Sequence, residues 1–271
     1  IKDVIKAKAE IFEGIENNGN ILINRDFKYY DEVLSNSKNL KNINTITYGI
    51  NNLSDISLVN RKIIDEGQII TALANKKEYI YKINYDGLHQ AINSLAVLGA
   101  LLITKSDIEK GINNLHHSLI PIGRGNRHNI IINGQRSLLI DDSYNANPSS
   151  VIASLKSLKE IAGTKRKVLI LGEMGELGKF SVPLHKNIYN YLISIDINLV
   201  IFVGKNTKDL YNLSKRKIEC IWAENTEKIV KKELIQLIKP MDTILVKGSR
   251  YMKMELIINF LIDQFKIKAS E

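Results

Sequence analysis

The chain has 271 residues, 44% hydrophobic and 25% charged, which is ordinary for a soluble globular protein and long enough for two domains. No apolar run approaches the ~18 residues of a membrane-crossing helix, and the opening Ile1-Lys2-Asp3-Val4 carries no apolar signal segment, so a cytoplasmic protein is expected. The single Cys220 excludes an internal disulfide, and the net charge of +9 comes from scattered lysines with no basic stripe interleaved with aromatics, so no nucleic-acid partner is expected.

Residues 2–14 read as a helix. Val4, Ile5, Lys8, Ile11 and Phe12 recur at three- and four-residue spacing, and Gly14 stops the run. Lys8 sits on or beside the apolar stripe, where a lysine ordinarily lays its stem on the surface and keeps its ammonium in water. Residues 19–26 read as turn, strand and polar exit. Residues 43–85 look rich in strand, most strongly at 79–85, where β-branched and aromatic residues concentrate. A helix opens near Asp86 and runs to about Leu102. A short one follows at 107–116, capped by Ser106 or Asp107. His116 and His117 are expected on opposite faces and are given no chemistry. Pro121-Ile122-Gly123-Arg124-Gly125 then breaks the pattern as a linker would, and the domain boundary is placed there, giving 1–123 and 124–271.

The second domain alternates strand and helix. Strands are expected at 128–132, 137–140, 167–171, 199–203, 218–222 and 243–246. Helices are expected at 150–161, 184–193, 207–213, 226–238 and 252–265. Asn133-Gly134 predicts a two-residue hairpin. The later alternation predicts an α/β fold with a mostly parallel sheet and right-handed crossovers. Cys220 lies in an apolar stretch and reads as a core residue.

The densest chemistry lies at Asp141-Asp142-Ser143-Tyr144-Asn145-Ala146-Asn147-Pro148, directly after the apolar run Leu138 to Ile140. Six polar side chains in seven positions exceed what a turn needs for its own backbone groups. The end of a strand in an open α/β sheet is also where ligands bind. Pro148 reads as a turn, with Ser149 or Ser150 capping the helix beyond it. Two further stretches follow strands: Gly172-Glu173-Met174-Gly175-Glu176-Leu177-Gly178, which is not a dinucleotide fingerprint, and Lys247-Gly248-Ser249-Arg250, which suits an anion. In the last stretch, Ser249 as a helix cap beside two solvated cations is the competing reading.

These three stretches, in this order, resemble the Mur ligase family, and within it the branch that adds D-alanyl-D-alanine to UDP-N-acetylmuramoyl-tripeptide. The resemblance covers nearly the whole chain. It implies the later part of the family's central domain followed by a Rossmann-like C-terminal domain. It also implies an ATP- and Mg²⁺-dependent amide ligase of peptidoglycan precursor synthesis, acting as a monomer through an acyl phosphate. Ala7-Lys8-Ala9-Glu10-Ile11-Phe12 is similar to the family's carbamylated-lysine segment, so Lys8 would hold Mg²⁺ as a carbamate. His89 and Asn93 match the family's Gly-x-His-Asn-x-x-Asn pattern, from which Gln90 departs, and Asn93 would contact adenine. Arg124 would reach the nucleotide and Asp142 the ribose hydroxyls, with Tyr144 beside the nucleotide. Asn145, Asn147, Lys247, Ser249 and Arg250 would meet the substrates, and His185 matches a histidine after the glycine-rich loop. The family's phosphate-binding loop is not in these residues, so ligase turnover by the chain alone is not expected. The alternative is a non-catalytic module derived from such a ligase.

Overall fold

The computed structural model describes residues 2–37, 42–175, 177–178, 181–230 and 233–265. The chain divides into two compact units, Ile1–Ser118 and Leu119–Glu271. The linker segment 121–125 folds with the second unit: Gly125 N–H donates to Asp141 O (2.7 Å) and Tyr144 N–H to Gly123 O (3.0 Å).

The first unit opens with α1 (Lys2–Ala9), which tightens into a 3₁₀ turn at Glu10–Gly14. Then come β1 (Asn20–Asn24), α2 (Tyr30–Ser37), β2 (Asn44–Gly49), β3 (Ile56–Ile64), β4 (Gly67–Ala74) and β5 (Lys77–Ile83). Their five-stranded sheet runs β1-β2-β3-β4-β5, parallel through β3 and antiparallel beyond. The turn between β4 and β5 places Asn75 and Lys76 at φ 51° and 63°, the left-handed pair that a tight hairpin requires. Helix α3 (Leu88–Ile103) buries Ala91, Ser94, Leu95, Leu98 and Gly99, a stripe at helical spacing laid on this sheet. Gly99 lets it lie close, since a Cβ there would stand 2.6 Å from Leu22 and 2.8 Å from Ile56. Asp107 caps α4 (Ile108–Asn113) by accepting from Lys110 N–H. His116 and His117 are not on opposite faces: their rings lie 3.7 Å apart in a 3₁₀ turn, which projects neighbours closer together than a strand would.

The second unit begins with β6 (Asn126–Ile132) and β7 (Gln135–Asp142), an antiparallel hairpin closed by Asn133 and Gly134 at φ 48° and 79°. Then follow α5 (Pro148–Ala162), β8 (Lys167–Leu171), α6 (Ser181–Ser194), β9 (Leu199–Val203), α7 (Lys208–Ser214), β10 (Glu219–Ala223), α8 (Thr226–Val230), α9 (Glu233–Leu237), β11 (Thr243–Lys247) and α10 (Glu255–Gln264). The six strands run β10-β9-β8-β11-β7-β6, all parallel except β6. One face packs on α5, α6 and α7 and the other on α8, α9 and α10. Every residue of β8, β9 and β11 is therefore buried, which explains their unbroken apolar runs.

Two local expectations change. Helix α5 starts at Pro148, and its cap is Asn147, not Ser149 or Ser150. Asn147 Oδ1 accepts from Ser150 N–H (2.9 Å) while Ser150 Oγ accepts from Asn147 N–H (3.0 Å). Proline belongs at this first helical position because its missing N–H would have no partner there. Of the helix expected over 226–238, the described residues show α8 and α9. The last helix starts only at Glu255, because Lys253 takes a left-handed conformation (φ 51°) after the 3₁₀ turn Arg250–Met252. Leu155, fully buried in α5, tests the second core. Leu155→Ala should destabilise by about 2–5 kcal/mol, read as a lowered urea midpoint.

Candidate functional site

Strand β11 lies between β7 and β8, and the chain leaves it toward α10 on one face of the sheet but leaves β7 and β8 toward α5 and α6 on the other. Such a switch point opens a crevice at the carboxyl ends of the strands, because the following loops turn to opposite faces. Here the register sets Lys247, the last residue of β11, beside Asp142 of β7 and Leu171 of β8. The loops after β7, β8, β9 and β11 enclose a cleft of about 1040 Å³, lined in part by Tyr144, Asn145, Gly175, Asn206, Arg250 and Tyr251.

Beneath these loops, and outside the residues that line the cleft, lies an ion pair. Lys247 is 3% exposed, and its Nζ donates to Asp142 Oδ2 (2.8 Å) and to Asn145 O (2.9 Å). Ser154 Oγ, from α5, donates to the same Asp142 oxygen at 2.5 Å. The cation expected at an anionic substrate is thus turned inward. Asp142 keeps partial exposure, its side chain 22% accessible, although it is not among the residues that line the cleft.

Ser249 is 3% exposed and does not cap the turn that follows it. Its Oγ accepts from Gly175 N–H (2.7 Å) and donates to Ala146 O (3.3 Å), joining the loops after β7, β8 and β11. Gly172 and Gly248 make this approach possible. A Cβ on Gly172 would lie 3.3 Å from Gly248 Cα and 2.8 Å from Met254 Sδ.

The mouth of the cleft carries cations and an aromatic face. Tyr144 is 44% exposed, with the Arg124 guanidinium 4.5 Å from its ring centre and that of Arg250 at 6.0 Å. Asn145 is exposed, and its Oδ1 accepts from Ala146 N–H. Asn147 also lines the cleft while it caps α5.

Three cleft residues escaped the sequence reading. Glu173, 8% exposed, accepts from Asn206 N–H (3.0 Å), Asn206 Nδ2 (2.8 Å) and Tyr251 Oη (2.7 Å). Glu173 was visible only as one acid in a glycine-rich loop, and neither Asn206 nor Tyr251 belongs to a motif. Burial, and then Glu173 itself, push the Tyr251 phenol from 10.0 up to about 12.

Of the other expected residues, Asn93 is exposed on α3 in the first unit, where its Nδ2 donates to Gln90 Oε1 (3.3 Å). The Lys8 side chain lies outside the described residues. His185 is buried, 4% exposed, and is not a surface residue of α6. Cys220 is half-buried, and burial pushes its thiol up. Among the described residues no three or more His, Cys, Asp or Glu side chains gather as a metal site. None of the described helices is long and apolar enough to cross a membrane.

Two measurements test this geometry. Lys247→Ala strands a partly buried carboxylate and should cost about 3 kcal/mol. Arg250→Ala breaks a solvent-accessible pair with Glu255 and a 6.0 Å approach to the Tyr144 ring and should cost about 1 kcal/mol, both variants being read by urea unfolding. A phenol whose folded pKa is raised stabilises the fold fully below pH 10.0, and that contribution is lost as pH rises through about 12. In an ultraviolet titration, Tyr251→Phe should remove one late-ionising phenol and leave Tyr81, which burial also pushes to about 12.

Comparison with known proteins accords with this architecture. The family model for the Mur ligase middle domain matches residues 1–101, and that for the Mur ligase, glutamate ligase domain matches 126–250. UDP-N-acetylmuramoyl-tripeptide--D-alanyl-D-alanine ligase of Rickettsia prowazekii is 32% identical over 260 residues, 96% of this chain and 57% of that protein. The same-named ligase of Bacillus subtilis is 28% identical, covering 96% and 55%. The chain therefore spans a little over half the length of these relatives. Among solved structures, MurF from Acinetobacter baumannii superposes with a TM-score of 0.83 at 22% identity, over 96% of this chain and 55% of that one. MurF ligase from Thermotoga maritima in complex with ADP gives 0.78 at 21% identity, over 99% and 58%. With the middle-domain model on the first unit and the glutamate ligase model on the second, the chain belongs to the Mur ligase family.

Proposed function

We propose that this chain carries the nucleotide- and amine-handling part of an ATP-dependent ligase that joins D-alanyl-D-alanine to UDP-N-acetylmuramoyl-tripeptide in the cytoplasm, as a monomer. The observation that carries the reading is the cleft at the ends of β7, β8 and β11, with its polar lining and the guanidinium groups around the Tyr144 ring. ATP phosphorylates the tripeptide's terminal carboxylate and ADP departs. The amine nitrogen of the dipeptide then attacks the acyl carbon, the amide bond forms, and phosphate leaves with the acyl oxygen bond's electrons. The protein must hold two anions and an amine together and keep water from the acyl phosphate.

The exposed Tyr144 ring under the Arg124 guanidinium is a stacking platform for a nucleotide. Asp142, oriented by Lys247 and Ser154, is placed to accept from ribose hydroxyls. Arg250 offers a cation to the dipeptide carboxylate, and Asn145 and Asn147 offer amides beside it. Ser249 acts by holding the loops in place. Asn93 is assigned to the adenine. For Mg²⁺, the described residues offer no ready cluster of acids. The assignment rests on Lys8 as a carbamate, and no step here is routed through the metal.

Titrating D-alanyl-D-alanine into ¹⁵N-labelled protein tests the reading. The amides of Ala146, Gly175 and Arg250 should shift together, and adding ADP should shift those of Arg124 and Tyr144. If millimolar dipeptide leaves the first group unmoved, the cleft is not the acceptor site.

A further inference from the structure

Glu173 stands behind the cleft and not in its lining, whereas Asn206 and Tyr251, which it holds, are both in the lining. It is 8% exposed, and no cationic side chain among the described residues pairs with it. An ionised carboxylate only accepts hydrogen bonds, so both neighbours must turn their donors toward it. Tyr251 has one hydroxyl hydrogen, directed at Glu173 Oε2 (2.7 Å). Asn206 directs its backbone N–H (3.0 Å) and its Nδ2 (2.8 Å) at the same carboxylate. Its amide also bears on the phenol oxygen. A planar amide with its NH₂ inward sends its carbonyl oxygen the other way.

The wall therefore presents acceptors to the cleft, backed by a buried carboxylate with which no cationic side chain among the described residues pairs. Such a wall repels a carboxylate and suits an N–H donor that carries positive charge. Gly204 guards the arrangement: its φ is +101°, and a Cβ there would stand 2.4 Å from Glu173 Cγ.

We propose that Tyr251 and Asn206, polarised by Glu173, form the subsite that receives the primary amine of the acceptor dipeptide, an ammonium on arrival. Glu173 is a positioning residue and does not touch the substrate. Arg250, with its side chain 65% exposed, supplies the opposite charge for the carboxylate end. The two ends of a zwitterion thus meet unlike partners in one cleft. The proposal rests on the cleft being the dipeptide site.

Calorimetric titration of the 271-residue chain with D-alanyl-D-alanine and with its N-acetylated form separates the two ideas. The wild-type protein should prefer the free amine by about tenfold, the worth of one hydrogen bond to a charged group. Tyr251→Phe removes the phenol acceptor and leaves the Asn206 carbonyl. Glu173→Gln offers an NH₂ to the phenol and turns the phenol's proton outward. Each should shrink the preference by weakening only the free-amine dipeptide. If the wild type binds both forms equally, or the variants weaken both alike, the amine subsite is overturned and the dipeptide site stands. If the wild type binds neither, the reading of the cleft falls, and this proposal with it. Tyr251 is 59% exposed, so its variant keeps the test open should Glu173→Gln fail to fold.

Discussion

The second unit depends on a buried ammonium. Lys247 ends a strand flanked on both sides by parallel partners, so its side chain lies buried beneath the loops that enclose the crevice. Burying that charge is unfavourable unless its donors are met. Asp142 and the Asn145 carbonyl meet two of them, and in doing so they hold the loop after β7 to the end of β11. The Ser249 hydroxyl repeats the device one step outward, fastening the loop after β8 to both. A cleft built this way is pre-shaped, because the groups that would orient a ligand are already oriented by one another.

The topology explains why such a centre forms late along the chain. Strand β11 enters the sheet between β7 and β8, which precede it by most of the unit, so the Lys247–Asp142 contact spans 105 residues. Loop-closure entropy must be met before that contact can form, and the two apolar faces of the sheet supply the compensating burial. The site is therefore a product of the completed sheet and not of any one loop.

Charge is distributed unevenly around the cleft. Two guanidinium groups flank the exposed Tyr144 ring at the mouth, while Glu173, with no cationic partner among the described residues, lies behind Tyr251 and Asn206.

Much of the architecture was legible in order along the chain. The strands of the second unit announced themselves as apolar runs between turn residues, and Asn133-Gly134 as a hairpin, because these depend on neighbours in sequence. Asp141 to Asn147 stood out for the same reason. Helix α2 did not, because its two turns are polar. It is held by Tyr30, Val33 and Leu34 packing on Phe12, Ile21 and Ile23. Asn147 read as a possible ligand group, while its oxygen also serves as a helix cap, a distinction that needs the φ of −137° to be seen. The sequence by itself determined which strand ends bear chemistry and which family they resemble. Tertiary structure alone decided that Lys247 pairs with Asp142, that Ser249 joins three loops, and that Glu173 sets the polarity of Tyr251 and Asn206. Those are contacts between segments far apart in the chain, and hydrogen-bond direction at each follows from which partner has a proton to give.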